Sequence, residues 1–206
     1  MLSLQNAILA VVIGYLLGSI PSGMIVARVY RNVDLTAYGS GRTGATNVLR
    51  TLGPGAAAVA FAADFLKGVI AVLLINLLVG VEPWLQLLAT LAAVLGHTYS
   101  PFLRFRGGRG VVTGLGATAV AAPVLMLVAF AVGLTLVAIT RYVSLGSVVG
   151  TMVGAILLIV QGIMVSQPAY IVWGVLVGGL IVVAHRDNIR RLMTGTERKL
   201  GERVAT

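Results

Sequence analysis

The sequence predicts an all-α integral membrane protein of seven transmembrane helices, some short or tilted, with the N-terminus outside and the C-terminus cytoplasmic. Three observations carry this. Of 206 residues, 58% are hydrophobic and 10% charged, where soluble domains carry about a quarter charged residues. The apolar residues fall in long runs, and about 20 residues cross the hydrocarbon core. The basic residues, which give a net charge of +9, cluster in a few loops, and such clusters mark the cytoplasmic side. No polar stretch is long enough for a second domain. The whole chain, 1–206, is therefore expected to form a single transmembrane helical domain. There is no cysteine, which excludes disulfides and thiol catalysis. Two histidines and six carboxylates argue against an all-protein metal centre. Neither a metal nor a cofactor is expected.

The first apolar run, 4–27, contains Gly14, Gly18 and Pro21. No basic residue precedes it, so it reads as a span and not as a signal peptide. Arg28 and Arg31 follow it and place the loop 28–50 in the cytoplasm. The second run, 54–80, carries Asp64 and Lys67, three apart and so on one helical face. Measured from Pro54 they fall roughly 15–20 Å along the helix, near mid-bilayer, and read as a mutually satisfying structural pair. Glu82-Pro83 marks an outer turn, and a third run, 84–103, returns to a cytoplasmic loop at 97–111.

Residues 111–140 are too long for one span and are broken at Ala122-Pro123. A single crossing would put Arg141 and the basic tail outside. Two crossings put every basic loop inside. The proposed outer turns carry only Glu82, whereas 28–50, 104–109, Arg141 and 186–203 hold the basic excess. Charge therefore selects two short crossings, which are tolerable where they border protein instead of lipid. Runs at 148–166 and 169–184 complete the seven, and the tail 185–203 is cytoplasmic.

Three cytoplasmic segments carry chemistry. Arg106-Gly107-Gly108-Arg109-Gly110 combines glycines, whose amides can face an anion, with guanidinium forks that suit phosphate oxygens. A lone loop of this kind also reads as a basic membrane edge. The segment 34–50 is rich in Gly, Ser and Thr and suits a phosphate or polyol. In the tail, His185 and Asn188 share a helical face at the same membrane edge; the tail also reads as a basic anchor on anionic lipid.

Taken together, Gly39-Ser40-Gly41-x-x-Gly44-Ala45-Thr46-Asn47-Val48-Leu49-Arg50, Gly96-His97 with Phe105 to Val111, and His185-Arg186-Asp187-Asn188-Ile189 with Glu197 and Lys199 resemble the bacterial acyl-phosphate:glycerol-3-phosphate acyltransferase family. The likeness extends through Gly18-Ser19-Ile20-Pro21-Ser22-Gly23, Asp64-Phe65-Leu66-Lys67-Gly68 and Arg141-Tyr142-Val143-Ser144-Leu145-Gly146. Two departures are local: Arg42-Thr43 stands where the family shows Asn, often then Pro, and Arg106 and Arg109 stand where it shows lysines.

The resemblance implies an enzyme of phospholipid biosynthesis in the bacterial cytoplasmic membrane, with its site on the cytoplasmic face. An acyl group would pass from acyl phosphate to the 1-hydroxyl of sn-glycerol 3-phosphate, giving lysophosphatidic acid and phosphate. Those two substrates and membrane lipid are the implied partners; no nucleic acid is expected, and protein partners are left open. Arg106, Gly107, Gly108, Arg109 and Gly110 would bind substrate phosphate. Ser40 and Arg50 would hold substrate polar groups at the reacting centre, supported by Asn47. His185 and Asn188 would position the attacking hydroxyl, with Ser144 assisting. His97 and Glu197 read as structural.

The residue types suit that chemistry. Acyl phosphate carries a good leaving group, so alignment and charge stabilisation matter more than acid catalysis. No activated serine or cysteine nucleophile is recognisable, and the His-x-x-x-x-Asp dyad of other glycerolipid acyltransferases is absent: Phe102 follows His97 at that spacing, and Arg190 follows His185. Direct transfer without an acyl-enzyme follows. The base is either His185 or, preferably, the donor's own phosphate. A small anion transporter is the alternative, although the matching broken halves of transporters are not seen. A lipid-docking scaffold would explain the charge but not the three motif loops.

Overall fold

Proline, glycine and charge positions set the element boundaries. The computed structural model describes residues 2–202. Arg203, the last residue of the expected cytoplasmic tail, lies outside the described residues, as do Met1 and 204–206. The described residues are helical, with no strand: α1 (Leu4–Ser19), α2 (Ser22–Arg31), α3 (Ala45–Leu52), α4 (Pro54–Val79), α5 (Pro83–Thr98), α6 (Val111–Ala121), α7 (Pro123–Thr140), α8 (Val143–Met164), α9 (Pro168–Ala184) and α10 (Arg186–Met193). Short 3-10 turns occupy Leu35–Ala37 and Pro101–Leu103. Four helices open on proline at the first position (α4, α5, α7 and α9), where its missing N–H costs nothing.

Each expected apolar run appears as helix, with one correction. The run 4–27 is not continuous: it breaks at Ile20-Pro21, and the chain resumes as α2. Proline cannot complete the helical ladder there, and α2 packs with α3 and the start of α4 around Ala27, Leu35 and Val48. By length and apolarity, four stretches suffice to cross a membrane: Leu4–Arg31, α4, α7 and α8. α9 joins them if it is counted with α10 across a 60° bend.

The stretch 111–140 forms two helices, α6 and α7, divided at the Ala122-Pro123 break. α6 starts at the Gly110 end and turns back at Ala122-Pro123, and α7 returns to Arg141. The 11 residues of α6 cover only about 16 Å, roughly half the hydrocarbon core. It is enclosed by protein: Gly114 meets Val94, Val177 and Ile181, and Gly116 meets the backbone of Phe65. By contrast only 17% of α7's apolar stretch is buried, so α7 presents its side chains to the surroundings.

The 26 residues of α4 extend about 39 Å, longer than a ~30 Å hydrocarbon core. Its first turns lie against α2 and α3. That placement corrects the expected depth of Asp64 and Lys67. They meet His97 at the end of α5 and the carbonyl of Ile20 at the end of α1, so they lie level with the motif loops.

Close backbone contacts hold the bundle. A Cβ on Gly18 would run into the Ala93 backbone, and one on Gly14 into that of Ala89; these glycines let α1 lie directly on α5, as small residues do between membrane helices. Gly18→Val should lower the thermal unfolding midpoint in detergent by several degrees, consistent with the ~1–3 kcal/mol of overpacking. Gly179→Val, where nothing lies within 4 Å, should leave that midpoint unchanged.

Candidate functional site

The geometry begins with the glycine loop. The amide of Gly107 donates to the Thr98 carbonyl (3.0 Å) and that of Gly108 to the His97 carbonyl (3.1 Å). The loop thus folds flat onto the end of α5. A Cβ on Gly107 would overlap the His97 carbonyl oxygen, and one on Gly108 the His97 ring; only glycine permits that approach. Gly110, at φ 78°, then turns the chain into α6. No hydrogen bond within the described chain reaches the amides of Gly110, Val111 and Val112, which leaves the partial positive charge of a helix N-terminus beside Arg109.

Beneath the loop lies a buried ionic knot. Lys67 Nζ sits 2.8 Å from Asp64 Oδ1, 2.9 Å from His97 Nδ1 and 2.8 Å from the Ile20 carbonyl oxygen. His97 Nδ1 lies 3.4 Å from Asp64 Oδ1. The structural reading of Asp64, Lys67 and His97 agrees with this arrangement, and both Asp64 and His97 also face the cavity described next.

A cavity of about 670 Å³ runs from this face into the bundle. Its head is lined by Ser40, Arg50, Arg109, Ser144, His185 and Asn188, with Asn47, Gly108 and Gly110. Segments separated by more than a hundred residues therefore meet. Two expected contributors stand apart: Arg106 is exposed and, like Gly107, lies outside the lining. Because the Gly107 and Gly108 amides are engaged by α5, the geometry offers the Gly110 amide and the start of α6 in their place.

Asn47 also lines the head, but its side chain is spent on the 35–42 loop. Its Nδ2 donates to the carbonyls of Leu35, Tyr38 and Arg42, and its Oδ1 accepts from the Ser40 amide. Arg42, noted from sequence only as a departure, lines the head and donates to the Gly107 carbonyl at 3.3 Å. Nothing in the residue type distinguished it from Arg106.

Three guanidiniums, Arg42, Arg50 and Arg109, thus face one space. Burial and then the neighbouring charge of Arg42 hold the Arg109 pKa down to about 10. Burial also lowers that of Arg50. Crowded like charges are costly, and an anion between them relieves that cost. For Glu197, burial raises the pKa, but hydrogen bonds from Asn188 (2.7 Å) and Arg191 (2.7 Å) outweigh it and keep the carboxyl ionised. Ser144 Oγ faces that carboxylate without a hydrogen bond of normal geometry.

His185 caps α9, and its Nδ1 lies 2.8 Å from the Ile181 carbonyl oxygen. That contact assigns the proton to Nδ1 and leaves Nε2 as an acceptor. Burial, against the help of the Ile181 carbonyl and with the repulsion of Arg109 and Arg42, drives its pKa down to about 4. The ring is therefore neutral at pH 7. Arg50 Nε, Ser144 Oγ and Asn188 Oδ1 are buried without partners; such groups are costly unless a ligand satisfies them.

A multi-pass helical membrane protein with a cationic cavity head is the class so defined. The glycerol-3-phosphate acyltransferase family model matches residues 8–195, and the chain belongs to that family. Relatives named glycerol-3-phosphate acyltransferase include one from Thermoanaerobacter sp. (strain X514), 42% identical over 96% of this chain and 98% of its own length. Another, from Thermus thermophilus, is 46% identical over 96% of this chain and 97% of its own. The crystal structure of PlsY (YgiH), an integral membrane glycerol 3-phosphate acyltransferase, in its glycerol 3-phosphate form matches with a TM-score of 0.87 and 40% identity, over 95% of this chain and 96% of that one. Its lysophosphatidic acid form gives a TM-score of 0.85. The chain is an acyltransferase, and the transporter alternative gains no support.

The low pKa of His185 makes stability depend on pH. The unfolded histidine takes up a proton near pH 6.5, whereas the folded one resists until about pH 4. The unfolded state thus binds more protons in that window, and stability falls as pH drops through it. Thermal unfolding in detergent should show the midpoint declining from pH 6.5 to 4, and His185→Gln should flatten that decline.

Proposed function

We propose that the protein transfers a fatty acyl group from acyl phosphate to the 1-hydroxyl of sn-glycerol 3-phosphate, releasing lysophosphatidic acid and inorganic phosphate. One observation carries the reading: a single cavity joins a head of three arginines to a shaft of apolar side chains reaching Trp173. That shape fits an acyl chain bearing an anionic headgroup. The two forms of PlsY, with glycerol 3-phosphate and lysophosphatidic acid, fit the acceptor and the product.

Glycerol 3-phosphate places its phosphate against Arg109 and the free amides at Gly110 and the start of α6. Its 1-hydroxyl donates to His185 Nε2, and Asn188 Oδ1 and Ser144 Oγ hold the second hydroxyl. The donor phosphate lies against Arg50 and Arg42, with Ser40 at the rim, and the acyl chain runs down the shaft. The hydroxyl oxygen attacks the carbonyl carbon, and the bond to the phosphate oxygen breaks. Because His185 is a weak base with its pKa near 4, the hydroxyl proton turns away from Nε2 as the new bond forms and passes to an oxygen of the departing phosphate, whose basicity rises as its bond to the acyl carbon breaks. His185 orients the hydroxyl instead of removing its proton. Fixing both substrates at attack distance supplies most of the acceleration, up to roughly 7–11 kcal/mol.

The membrane arrangement belongs to the same reading. The chain forms one domain of seven crossings (α1, α4, α5, α6, α7, α8 and α9), with its N-terminus outside. The head and the C-terminal tail face the cytoplasm of a bacterial inner membrane. The basic residues around the head support this orientation, and the α6–α7 hairpin supports the count.

Purified protein with palmitoyl phosphate and glycerol 3-phosphate should release phosphate only when both are present, and acyl-CoA should not replace the donor. Arg109→Ala should lower kcat/KM for glycerol 3-phosphate by about 100-fold or more. His185→Gln should reduce kcat without shifting the pH profile. Release in the absence of glycerol 3-phosphate, or equal use of acyl-CoA, would refute the assignment.

A further inference from the structure

The inner end of the cavity is packed, although its side is open where Phe130 and Leu134 of α7 line it and are exposed. The deepest lining residues on each surrounding helix are Thr118 of α6, Met126 of α7, Leu158 of α8 and Trp173 of α9. Met126, Leu158 and Trp173 belong to one packed core with Leu87 and Ala122 behind them. Trp173 is the largest of the fully buried side chains, with no exposed surface, and its ring is backed by Tyr170 at 6.2 Å between centroids. The indole Nε1 has no hydrogen-bond partner, so packing alone holds it.

The walls above that floor are thin. Gly150 and Gly154 of α8 lie against α7, and Gly174 and Gly178 of α9 lie against Ala155. Small residues draw these helices together and leave a shaft instead of a filled core. The length of that shaft follows from the helices. From His185 to Trp173 is twelve residues and from Ser144 to Leu158 fourteen, roughly 18–21 Å at a 1.5 Å rise. A zigzag of ~1.5 Å carbon–carbon bonds advances roughly 1.25 Å per carbon. The shaft therefore holds about fourteen to seventeen carbons below a carbonyl seated at the His185 level.

We propose that the floor formed by Met126 and Leu158, backed by the fully buried Trp173, is the stop that sets the longest saturated acyl chain the enzyme accepts. The proposal rests on the acyl-transfer reading above and adds to it the substrate length. A longer chain must bend out of the shaft past α7 or disturb the packed floor, and a misplaced methylene costs about tenfold or more in an apolar pocket. A shorter chain leaves part of the shaft unfilled and loses contact in proportion. Thr151 of α8 lines the shaft, seven residues below Ser144, or roughly 10 Å. A bulky side chain there raises the floor by about half.

The test is an internal competition. Equimolar lauroyl, myristoyl, palmitoyl, stearoyl and arachidoyl phosphates are presented together in mixed micelles with glycerol 3-phosphate, and the lysophosphatidic acids formed are weighed by mass spectrometry. Wild-type product should peak at palmitoyl and stearoyl, with arachidoyl lower by about tenfold or more. Trp173→Leu should raise the ratio of arachidoyl to palmitoyl product, and an unchanged ratio in an active Trp173→Leu protein overturns the proposal. Thr151→Phe should move the peak to lauroyl or below. Equal use of arachidoyl and palmitoyl by the wild type overturns the proposal without any variant. So does an unchanged length profile in an active Thr151→Phe protein, which covers the case in which the Trp173 variant fails to fold. No product from any donor would overturn the transfer reading itself, a result distinct from a flat profile among several products.

Discussion

One buried ammonium ties the site to the bundle. Lys67 on α4 reaches Asp64 on its own helix, His97 on α5 and the last carbonyl of α1. Removing one member would leave a buried charge uncompensated, which costs several kcal/mol. The knot is nonetheless a weak source of net stability, since each ion gave up its hydration on burial. What it supplies is position. Ser100 adds to it by donating from Oγ to the Ser19 carbonyl at 2.6 Å, so α1 and α5 end in fixed register. His97, held from below, presents its ring and carbonyl as the surface on which Gly107 and Gly108 lie. The direction of α6, and with it Arg109, follows from that docking.

Much of the architecture was legible because it depends on composition alone. Hydropathy located the apolar runs, and Pro123 marked the point where 111–140 divides into α6 and α7. The Pro21 break was visible as a residue but not as an outcome, since proline inside a membrane run either bends or ends the helix, and packing of α2 on α3 decides which. The depth of Asp64 and Lys67 was misjudged for a related reason. Counting from Pro54 assumes that α4 starts at the membrane edge, and its first turns instead pack with α2 and α3.

The candidate residues divide in the same way. His185 and Asn188 were read from their helical spacing, and Arg50, Ser40 and Ser144 from the family resemblance; all five line the head of the cavity. Arg106 and Arg109 are equivalent in sequence. What separates them is backbone shape: Arg104 and Phe105 adopt left-handed conformations at φ 49° and 62°. Non-glycine residues rarely take these angles, so no local rule announces them. The loop turns there, Arg106 faces out, and Arg109 faces in. Arg42 was missed because its inward position depends on the loop that Asn47 ties down through four hydrogen bonds.

The C-terminal tail shows why some contacts leave no trace in a sequence. Its cations suggested an anchor on anionic lipid, yet its main chain makes the contacts that tie it to Arg50 and Arg141. Arg50 donates to the Arg198 carbonyl at 3.3 Å, Arg141 donates to that of Leu200 at 2.7 Å, and the Leu200 amide returns a bond to the Arg141 carbonyl at 2.6 Å. Every residue type offers the same carbonyl, so identity is uninformative. Side chains contribute as well, among them Lys199, placed 5.5 Å over the Tyr142 ring, and Glu197, which engages Asn188 and Arg191. The consequence is electrostatic as well as mechanical. The strap brings a carboxylate beside His185, Asn188 and Arg50, where it partly offsets the repulsion among Arg42, Arg50 and Arg109 before any anion arrives. A head built only of guanidiniums would hold its ligands tightly but stand under strain when empty. Glu197 lessens that strain while its own oxygens stay occupied, so it does not compete with the arginines for a phosphate.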